Sequence, residues 1–302
     1  MSQTQRATRA TFRTLGRVAP PLALALGAAA YWRVGTPAPV READRAVHDA
    51  ARRTRLAHRT TFGRGRDVRA GSGREVAVTA YTWGDPDARG VLLVHGWRSR
   101  ASAFGRIIED LTGAGLRAVA YDAPGHGASG GRQRTGLDDL TIIRRLSDAE
   151  SAPWAGVIGH SLGVLSAGIA LHEGIRAERF TAISGISSVR VTTDGFVRAA
   201  GIPWALRDRF ATTAQRYGLP DQPDVYARFD LTARTVPATV PALWVHDAGD
   251  RMNPHVLSER LHEAHAASSE LFTTTGLGHN QILGDLAVRA RILDHLAAPA
   301  SA

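Results

Sequence analysis

The 302-residue sequence contains no cysteine and no lysine. The absence of cysteine excludes disulfides, thiolate metal sites and a cysteine nucleophile. It leaves the redox compartment open, because a cysteine-free protein suits either side of a membrane. All 37 basic residues are arginine, which we attribute to codon bias rather than to recognition.

The excess positive charge is confined to the N-terminal quarter of the chain. Residues 1–74 contain 15 arginines and 4 acidic residues, a net +11, whereas the other 228 residues contain 22 arginines and 24 acidic residues, a net −2. No pattern of interleaved aromatic and basic residues accompanies the arginines, so nucleic acid is not an expected partner. The hydrophobic content of 44% predicts a sizeable core.

The hydrophobic segment near the N-terminus is shorter than a typical membrane-spanning helix. A basic tail, residues 1–17, precedes the hydrophobic segment 18–34, in which Val18–Trp32 has no charged residue. As a helix these 15 residues would rise about 22 Å, less than the roughly 30 Å of a bilayer core. Three interpretations stay open: a membrane anchor, a signal cleaved near Ala28–Ala30, and a soluble helix that covers the main domain.

Tyr31 and Trp32 are typical of interfacial anchors, and Pro20 and Pro21 count against a signal peptide. We therefore expect membrane association through this segment, with a transmembrane helix as one form of it; secreted and cytoplasmic locations are the alternatives. Residues 35–73 form a basic linker that we interpret as mostly helical. Its arginines would face either solvent or anionic lipid headgroups.

From Arg74 to Ala298 short apolar runs alternate with amphipathic segments. GVLLVHG (90–96) and LRAVAYD (116–122) predict buried strands, and Ser102–Gly113 predicts a helix between them. Such alternation predicts an α/β fold, a mostly parallel sheet with helices on both faces and functional groups at the carboxyl ends of the strands. Strands are also predicted at 74–84, 154–161, 179–186, 241–247 and 269–276, and helices at 137–150, 162–174, 254–267 and 285–298.

The alternation is interrupted at about residues 187–240. Helical pieces in this interval predict a small lid inserted above the sheet. Phe196 and Trp204 within it are candidates for lining an acyl pocket, although core packing is the commoner role of such residues.

Residues 159–163, Gly-His-Ser-Leu-Gly, match the G-x-S-x-G pattern of a nucleophile elbow. A predicted strand precedes Ser161 and a predicted helix follows it, which is the context that this motif requires. Gly159 and Gly163 provide the space that a strained turn needs. The pattern favours Ser161 as a nucleophile over a serine that only caps a helix.

A serine nucleophile needs an imidazole base, and the imidazole needs an acid that fixes its tautomer. His279 lies in the Gly-rich loop after the last predicted strand, and Asp250 follows the strand before it. Asp247, three residues earlier, is the alternative acid. Five other histidines fall in predicted helices, where surface or structural roles are commoner: His172, His255, His262, His265 and His295.

An oxyanion intermediate needs two backbone N–H donors. Leu162, the first residue of the predicted helix, and Trp97, which follows a predicted strand, are the candidates. His95 and Gly96 are then expected to shape the loop before Trp97. His126, in the turn-rich loop 122–131, is expected to brace that loop.

Five segments in this order resemble the α/β-hydrolase superfamily: HGW (95–97), DAPGHGASG (122–130), GHSLG (159–163), HDAGDRMNP (246–254) and GLGHN (276–280). The D-x-P-G-H-G-x-S loop and the short lid look like the serine-hydrolase branch with lysophospholipase, monoacylglycerol-lipase and serine-aminopeptidase-like members. The resemblance implies Ser161, Asp250 and His279 as a triad, with Trp97 and Leu162 as oxyanion donors. Val164 departs from the pattern, because a second glycine often follows the elbow.

The predicted reaction is hydrolysis of a carboxylic ester through an acyl-enzyme on Ser161, with no metal and no organic cofactor. Lipid-like esters are among the expected substrates. The same triad would also serve an acyltransferase, an amidase or peptidase, or a C–C bond hydrolase. A membrane-anchored binding protein on a retired hydrolase fold is the non-catalytic alternative. The expected partners are a small-molecule ester and a membrane surface.

Overall fold

A computed structural model describes residues 3–63 and 73–298, which contain one eight-stranded sheet. The strand order is β1-β2-β4-β3-β5-β6-β7-β8; β1, β2 and β4 pair antiparallel, and all later pairs are parallel. The predicted α/β fold is therefore confirmed. The strands are β1 Arg52–Arg59, β2 Glu75–Trp83, β3 Gly90–Val94, β4 Arg117–Tyr121, β5 Gly156–His160, β6 Phe180–Ile183, β7 Ala242–Asp247 and β8 Ser269–Thr274.

Helices cover both faces of the sheet, because the central strands are apolar on both sides. Every residue of β3, β5, β6 and β7 is buried, as expected of parallel strands between two helical layers. These helices are α3 Arg45–Ala50, α4 Gly105–Gly113, α5 Gly136–Asp148, α6 Leu162–His172, α10 Val256–Ala264, the short α11 Gly278–Gln281 and α12 Leu286–Ala297.

The predicted lid consists of three helices between β6 and β7. They are α7 Val189–Ala200, α8 Arg207–Gly218 and α9 Val225–Arg228. Phe210 of α8 is fully buried and its ring stacks on Phe196 of α7, with centroids 5.3 Å apart. We call α7, α8 and α9 the lid.

The N-terminal segment is also helical, as α1 Gln3–Val18 and α2 Pro20–Tyr31. Helix α2 packs on the lid: Ala23, Leu24 and Ala28 are buried. A Cβ on Gly27 would lie only 3.0 Å from the Phe210 ring, so glycine permits this close approach. No helix among the described residues is long and apolar enough to cross a membrane, so the transmembrane interpretation is not supported.

The prediction of a helical linker is wrong for Arg52–Arg59. These residues form β1, paired antiparallel with β2 over its whole length. Four arginines and mostly exposed residues are compatible with an edge strand, where charged side chains oppose association with other strands. Helix α3 does lie within the linker. Residues 64–72, near the end of the linker, are outside the described residues.

Candidate active site

Ser161 occupies a strained turn between β5 and α6. Its backbone has φ 55° and ψ −120°, which is uncommon for a residue other than glycine and costs on the order of 1–3 kcal/mol. Hydrogen bonds hold the turn: Ser161 N–H donates to Ile183 O at 2.9 Å, and Val164 N–H donates to Ser161 O at 3.1 Å. Strain maintained in this way is a common feature of functional residues.

The backbone around Ser161 has no room for side chains at three glycines. A Cβ on Gly163 would lie 2.0 Å from Val94 O, one on Gly159 2.7 Å from Val164 Cα, and one on Gly96 2.8 Å from Ser161 Cβ. All three positions therefore require glycine.

Val164, which departs from the superfamily pattern, fits because Gly185, in the loop after β6, has no side chain. Its side chain is completely buried, and a Cβ on Gly185 would lie 2.7 Å from Val164 Cγ1. The elbow thus has valine in place of a second glycine, and Gly185 leaves the space that the valine side chain needs.

Asp250, rather than Asp247, contacts the candidate histidine. His279 Nδ1–H donates to Asp250 Oδ2 at 2.7 Å, which leaves Nε2 as the nitrogen available for a proton from serine. Asp250 Oδ1 accepts the N–H groups of Met252 and Asn253 at 2.8 and 3.0 Å. Burial raises the pKa of Asp250, but hydrogen bonds from His246 and His279 outweigh it and hold the pKa well below its usual range.

Asp247 has a different set of partners. It accepts the N–H groups of Gly249 and Leu277 and the Thr274 hydroxyl, each at 2.9 Å. These bonds tie the loop after β7 to the loop after β8, which carries His279. Asp247 therefore orders the two loops and does not touch the imidazole.

Ser161 and His279 lie at the same sheet edge, but no hydrogen bond joins them in the described structure. Asn253 Nδ2 lies 3.5 Å from Ser161 Oγ and donates to Ser184 O at 2.8 Å. Met252 lines both the cavity at Ser161 and a neighbouring cleft at His279. Catalytic hydrogen bonds are often long or unformed without substrate, so this arrangement is compatible with a triad.

Two further histidines surround Asp250 and His279. His246 Nε2 lies 3.4 Å from Asp250 Oδ2 and is completely buried. His160 Nε2–H donates to His279 O at 3.0 Å, and burial lowers the pKa of His160 to about 4, so that its ring is neutral. Sequence reasoning missed the roles of His246, His160 and Asn253, although all three lie within the quoted motifs.

The loop before Trp97 is held by a neutral imidazole. His95 Nδ1–H donates to Gly96 O at 2.7 Å, and His95 Nε2 accepts the Ala123 N–H at 3.0 Å. Burial lowers the pKa of His95 well below its ordinary value. Because both ring nitrogens are engaged, His95 has a structural position and is not a second base.

His126 braces the adjoining turns in the same manner. His126 Nε2 accepts the Arg98 N–H, and its Nδ1–H donates to Pro124 O, both at 3.0 Å. Burial lowers the pKa of His126 to about 2.

Arg134 also holds the loop before Trp97 in place. This residue was not identified from the sequence. Its guanidinium is buried, donates to His95 O at 3.0 Å and Gly96 O at 3.1 Å, and pairs with Asp139 at 2.8 Å. Asp139 also accepts the Ser166 hydroxyl at 2.7 Å. This network joins the loop before Trp97 to α5 and α6.

Trp97 and Leu162 both line the cavity that contains Ser161. Their backbone N–H groups donate to no acceptor in the described part of the chain. Two free donors beside a serine at a helix N-terminus can stabilise an oxyanion. Among the described residues, no three histidine, aspartate or glutamate side chains come together as metal ligands.

The cavity at Ser161 has a volume of about 290 Å³ and mostly apolar walls. The lid contributes Phe196, and α2 contributes Tyr31, with Trp32 directly after it. Trp204, the other lid candidate, does not line the cavity; it is 41% exposed, with the Arg198 guanidinium 4.0 Å from its ring.

Comparison with known proteins agrees with this architecture. A model of the alpha/beta hydrolase family matches residues 91–285, and the chain belongs to this family. A serine hydrolase-like protein of Dictyostelium discoideum is 32% identical over 114 residues, 36% of this chain and 31% of that protein. The chain thus matches about a third of the length of this curated relative.

Solved structures show the same fold at low sequence identity. An esterase of Pyrococcus furiosus has a TM-score of 0.60 and 19% identity, covering 88% of this chain and 98% of the other. A monoacylglycerol lipase of Paleococcus ferrophilus has a TM-score of 0.53 and 22% identity, covering 73% and 98%. The family model and the solved structures therefore agree on the α/β hydrolase fold.

Proposed function

We propose that the protein hydrolyses carboxylic esters with an apolar acyl group through an acyl-enzyme on Ser161. The observation that carries the proposal is the combination of a strained serine with a 2.7 Å Asp250–His279 hydrogen bond at the same sheet edge. Two of the structural relatives, an esterase and a monoacylglycerol lipase, act on this class of substrate, which supports the proposal.

The reaction starts when His279 Nε2 takes the proton of the Ser161 hydroxyl. Ser161 Oγ then forms a bond to the ester carbonyl carbon, and the N–H groups of Trp97 and Leu162 stabilise the negative oxygen. Collapse of this intermediate breaks the bond to the alcohol oxygen, which receives the proton from His279. The acyl group remains on Ser161.

Water completes the cycle by the same steps. His279 removes a proton from water, the hydroxide adds to the acyl carbon, and the second tetrahedral intermediate releases the carboxylic acid. The proton returns to Ser161 Oγ, and the free enzyme is restored. Asp250 keeps the Nδ1–H tautomer of His279 throughout and stabilises the imidazolium.

The cavity walls support an apolar acyl group as the substrate. Phe196, Tyr31 and Trp32 line the space, and its volume of about 290 Å³ accommodates a chain rather than a single acetyl group. Acyl transfer to an alcohol other than water would use the same groups. The apolar walls favour an ester over a peptide, which would place unpaired amide groups against them.

Hydrolysis of p-nitrophenyl esters with acyl chains of two to sixteen carbons tests the proposal. We expect wild type to prefer one intermediate or long chain, and Ser161→Ala to lower kcat by about 10⁴-fold or more. Ser102→Ala, which removes a buried hydroxyl outside the site, is the control. Equal release by wild type and Ser161→Ala, or no release by the folded wild type at any chain length, would contradict it.

A further inference from the structure

Helix α2 has an apolar face that nothing in the described chain covers. Its inner side packs on the lid, whereas its outer side is also apolar and is exposed: Pro21, Leu22, Ala25, Leu26, Ala29 and Ala30. Leu22 and Leu26 are 50% and 48% exposed, and Val18, just before the helix, is 74% exposed. A helix that is apolar on all sides is normally buried on all sides.

Exposed arginines without ion pairs precede and follow α2 in the sequence. Arg6, Arg13 and Arg17 of α1 are exposed, and Arg33 follows α2. None of these four forms an ion pair with a described residue. The first acidic residue of the chain is Glu42, so no carboxylate of residues 1–41 offsets this charge.

The connection between α7 and α8 contacts α1 and exposes an aromatic ring. Pro203 contacts α1 at Gly16, where a Cβ would lie 2.3 Å from Pro203 Cδ. The next residue, Trp204, is exposed, and its ring lies 4.0 Å from the Arg198 guanidinium and 5.0 Å from that of Arg207. Exposed apolar and aromatic groups flanked by arginine are typical of surfaces that bind lipid headgroups.

We propose that the outer face of α2, with α1 and Trp204, docks in the plane of an anionic lipid bilayer. The leucines would enter the boundary between headgroups and acyl chains, and the arginines would contact lipid phosphates. A second copy of the chain fits less well. A symmetric contact through this face would bring the two arginine clusters together and create repulsion between like charges.

The docked helix also forms part of the substrate cavity. Tyr31 is its last residue and Trp32 follows, and both line the cavity at Ser161. Docking would therefore hold one wall of the cavity next to the lipid. The binding itself does not depend on which bond the enzyme hydrolyses, so it can be tested apart from the proposed function.

Co-sedimentation of the full chain with vesicles tests the proposal. Phosphatidylcholine vesicles with about 30% phosphatidylglycerol should bind the protein, and phosphatidylcholine alone should bind it much less. Arg13→Gln/Arg17→Gln should lower the partition coefficient roughly 30-fold, and Leu22→Ser/Leu26→Ser at least about tenfold. The control is Leu286→Ser, at a 75% exposed leucine of α12, which should bind as wild type does.

Folding is checked for each variant by circular dichroism, and basal activity on a soluble short-chain ester should be unchanged, because neither leucine lines the cavity. Absence of binding by the folded wild type, or equal binding by Leu22→Ser/Leu26→Ser, would overturn the proposal. Dimers that this variant abolishes in sedimentation velocity, without vesicle binding, would overturn it in favour of a second copy. High salt should weaken wild-type binding by screening the arginines.

Discussion

The sheet edge and the lid meet at one cavity but are held in different ways. At the sheet edge, Asp250, His279 and Ser161 are fixed by hydrogen bonds of buried polar groups. The lid and α2 are held mainly by aromatic and aliphatic packing around Phe210. The proposed chemistry requires defined atom positions, which hydrogen bonds provide. The cavity walls require only shape and apolarity, which side-chain packing provides.

The largest expected effect is at the candidate catalytic acid, where Asp250 and Asp247 form a matched pair for substitution. Asp250→Asn should lower kcat by roughly 10³–10⁴-fold, because the amide favours the wrong tautomer of His279. Asp247→Asn should instead lower the free energy of unfolding by about 1–3 kcal/mol, because it weakens the bonds between two loops. Ester hydrolysis and urea unfolding of both variants measure this, and a larger kcat loss in Asp247→Asn would reverse the assignment.

The buried ion pair between Arg134 and Asp139, below the loop before Trp97, gives the next largest expected effect. Arg134→Met leaves Asp139 buried without its cation, and we expect a loss of about 3–5 kcal/mol in the free energy of unfolding. Arg106→Met, which breaks an exposed pair with Glu109, should change it by less than about 1 kcal/mol. Urea denaturation monitors both; similar losses would show that the buried network contributes no more than a surface pair.

Acid should destabilise the sheet side through His160. An exposed histidine titrates near pH 6.5, whereas burial lowers the pKa of His160 to about 4. Between these values the unfolded chain binds a proton that the folded chain excludes, so stability falls as pH decreases through the window and is unaffected above it. The expected loss is about 3 kcal/mol.

Burial lowers the pKa values of His95 and His126 in the same direction, so the contribution of His160 is the difference between wild type and His160→Gln in denaturation at pH 7 and about pH 4.5. His160→Gln should have a flatter pH dependence, whereas His255→Gln, at a partly exposed position, should behave as wild type does. The helices of the lid, α1 and α2 contain no histidine, so they contribute nothing to this titration. A pH dependence unchanged in His160→Gln would assign the effect elsewhere.

The smallest expected effect concerns the contact between α2 and the lid. Tyr31 OH and Thr192 Oγ1 share a hydrogen bond of 2.5 Å between α2 and α7. Tyr31→Phe should cost about 1 kcal/mol, and a double-mutant cycle with Thr192→Val isolates the pair. Tyr217→Phe is the control; a coupling energy near zero would mean that packing alone holds α2 on the lid.

The fold, and the position of the candidate site residues at one sheet edge, could be predicted because their signals are local. Ser161 and Asp250 follow short buried strands, His279 follows the partly exposed strand β8, and parallel strands bring their carboxyl ends to one edge. The choice between Asp247 and Asp250 stayed open, because residues three positions apart differ only in which loop group each side chain meets. Arg134 has no local signal, since its partners lie on other loops.

The N-terminal region was predicted least well, for two physical reasons. Arg52–Arg59 lacks the apolar alternation of a half-buried strand, and its structure depends on pairing with β2. The apolar sequence of α2 is compatible with either a membrane or a protein partner. Its inner face packs on α8, which lies about 180 residues later in the sequence, and no local pattern predicts this contact. Tertiary packing determines both outcomes.

Covalent labelling with a fluorophosphonate, followed by peptide mapping, would test directly whether Ser161 is an activated nucleophile. We expect one adduct, on Ser161, that is absent in Ser161→Ala and forms far more slowly in His279→Ala, while His255→Ala labels as wild type does. Such a result would establish an activated serine at the elbow. No adduct on the folded wild type, or an adduct on another serine, would contradict the account.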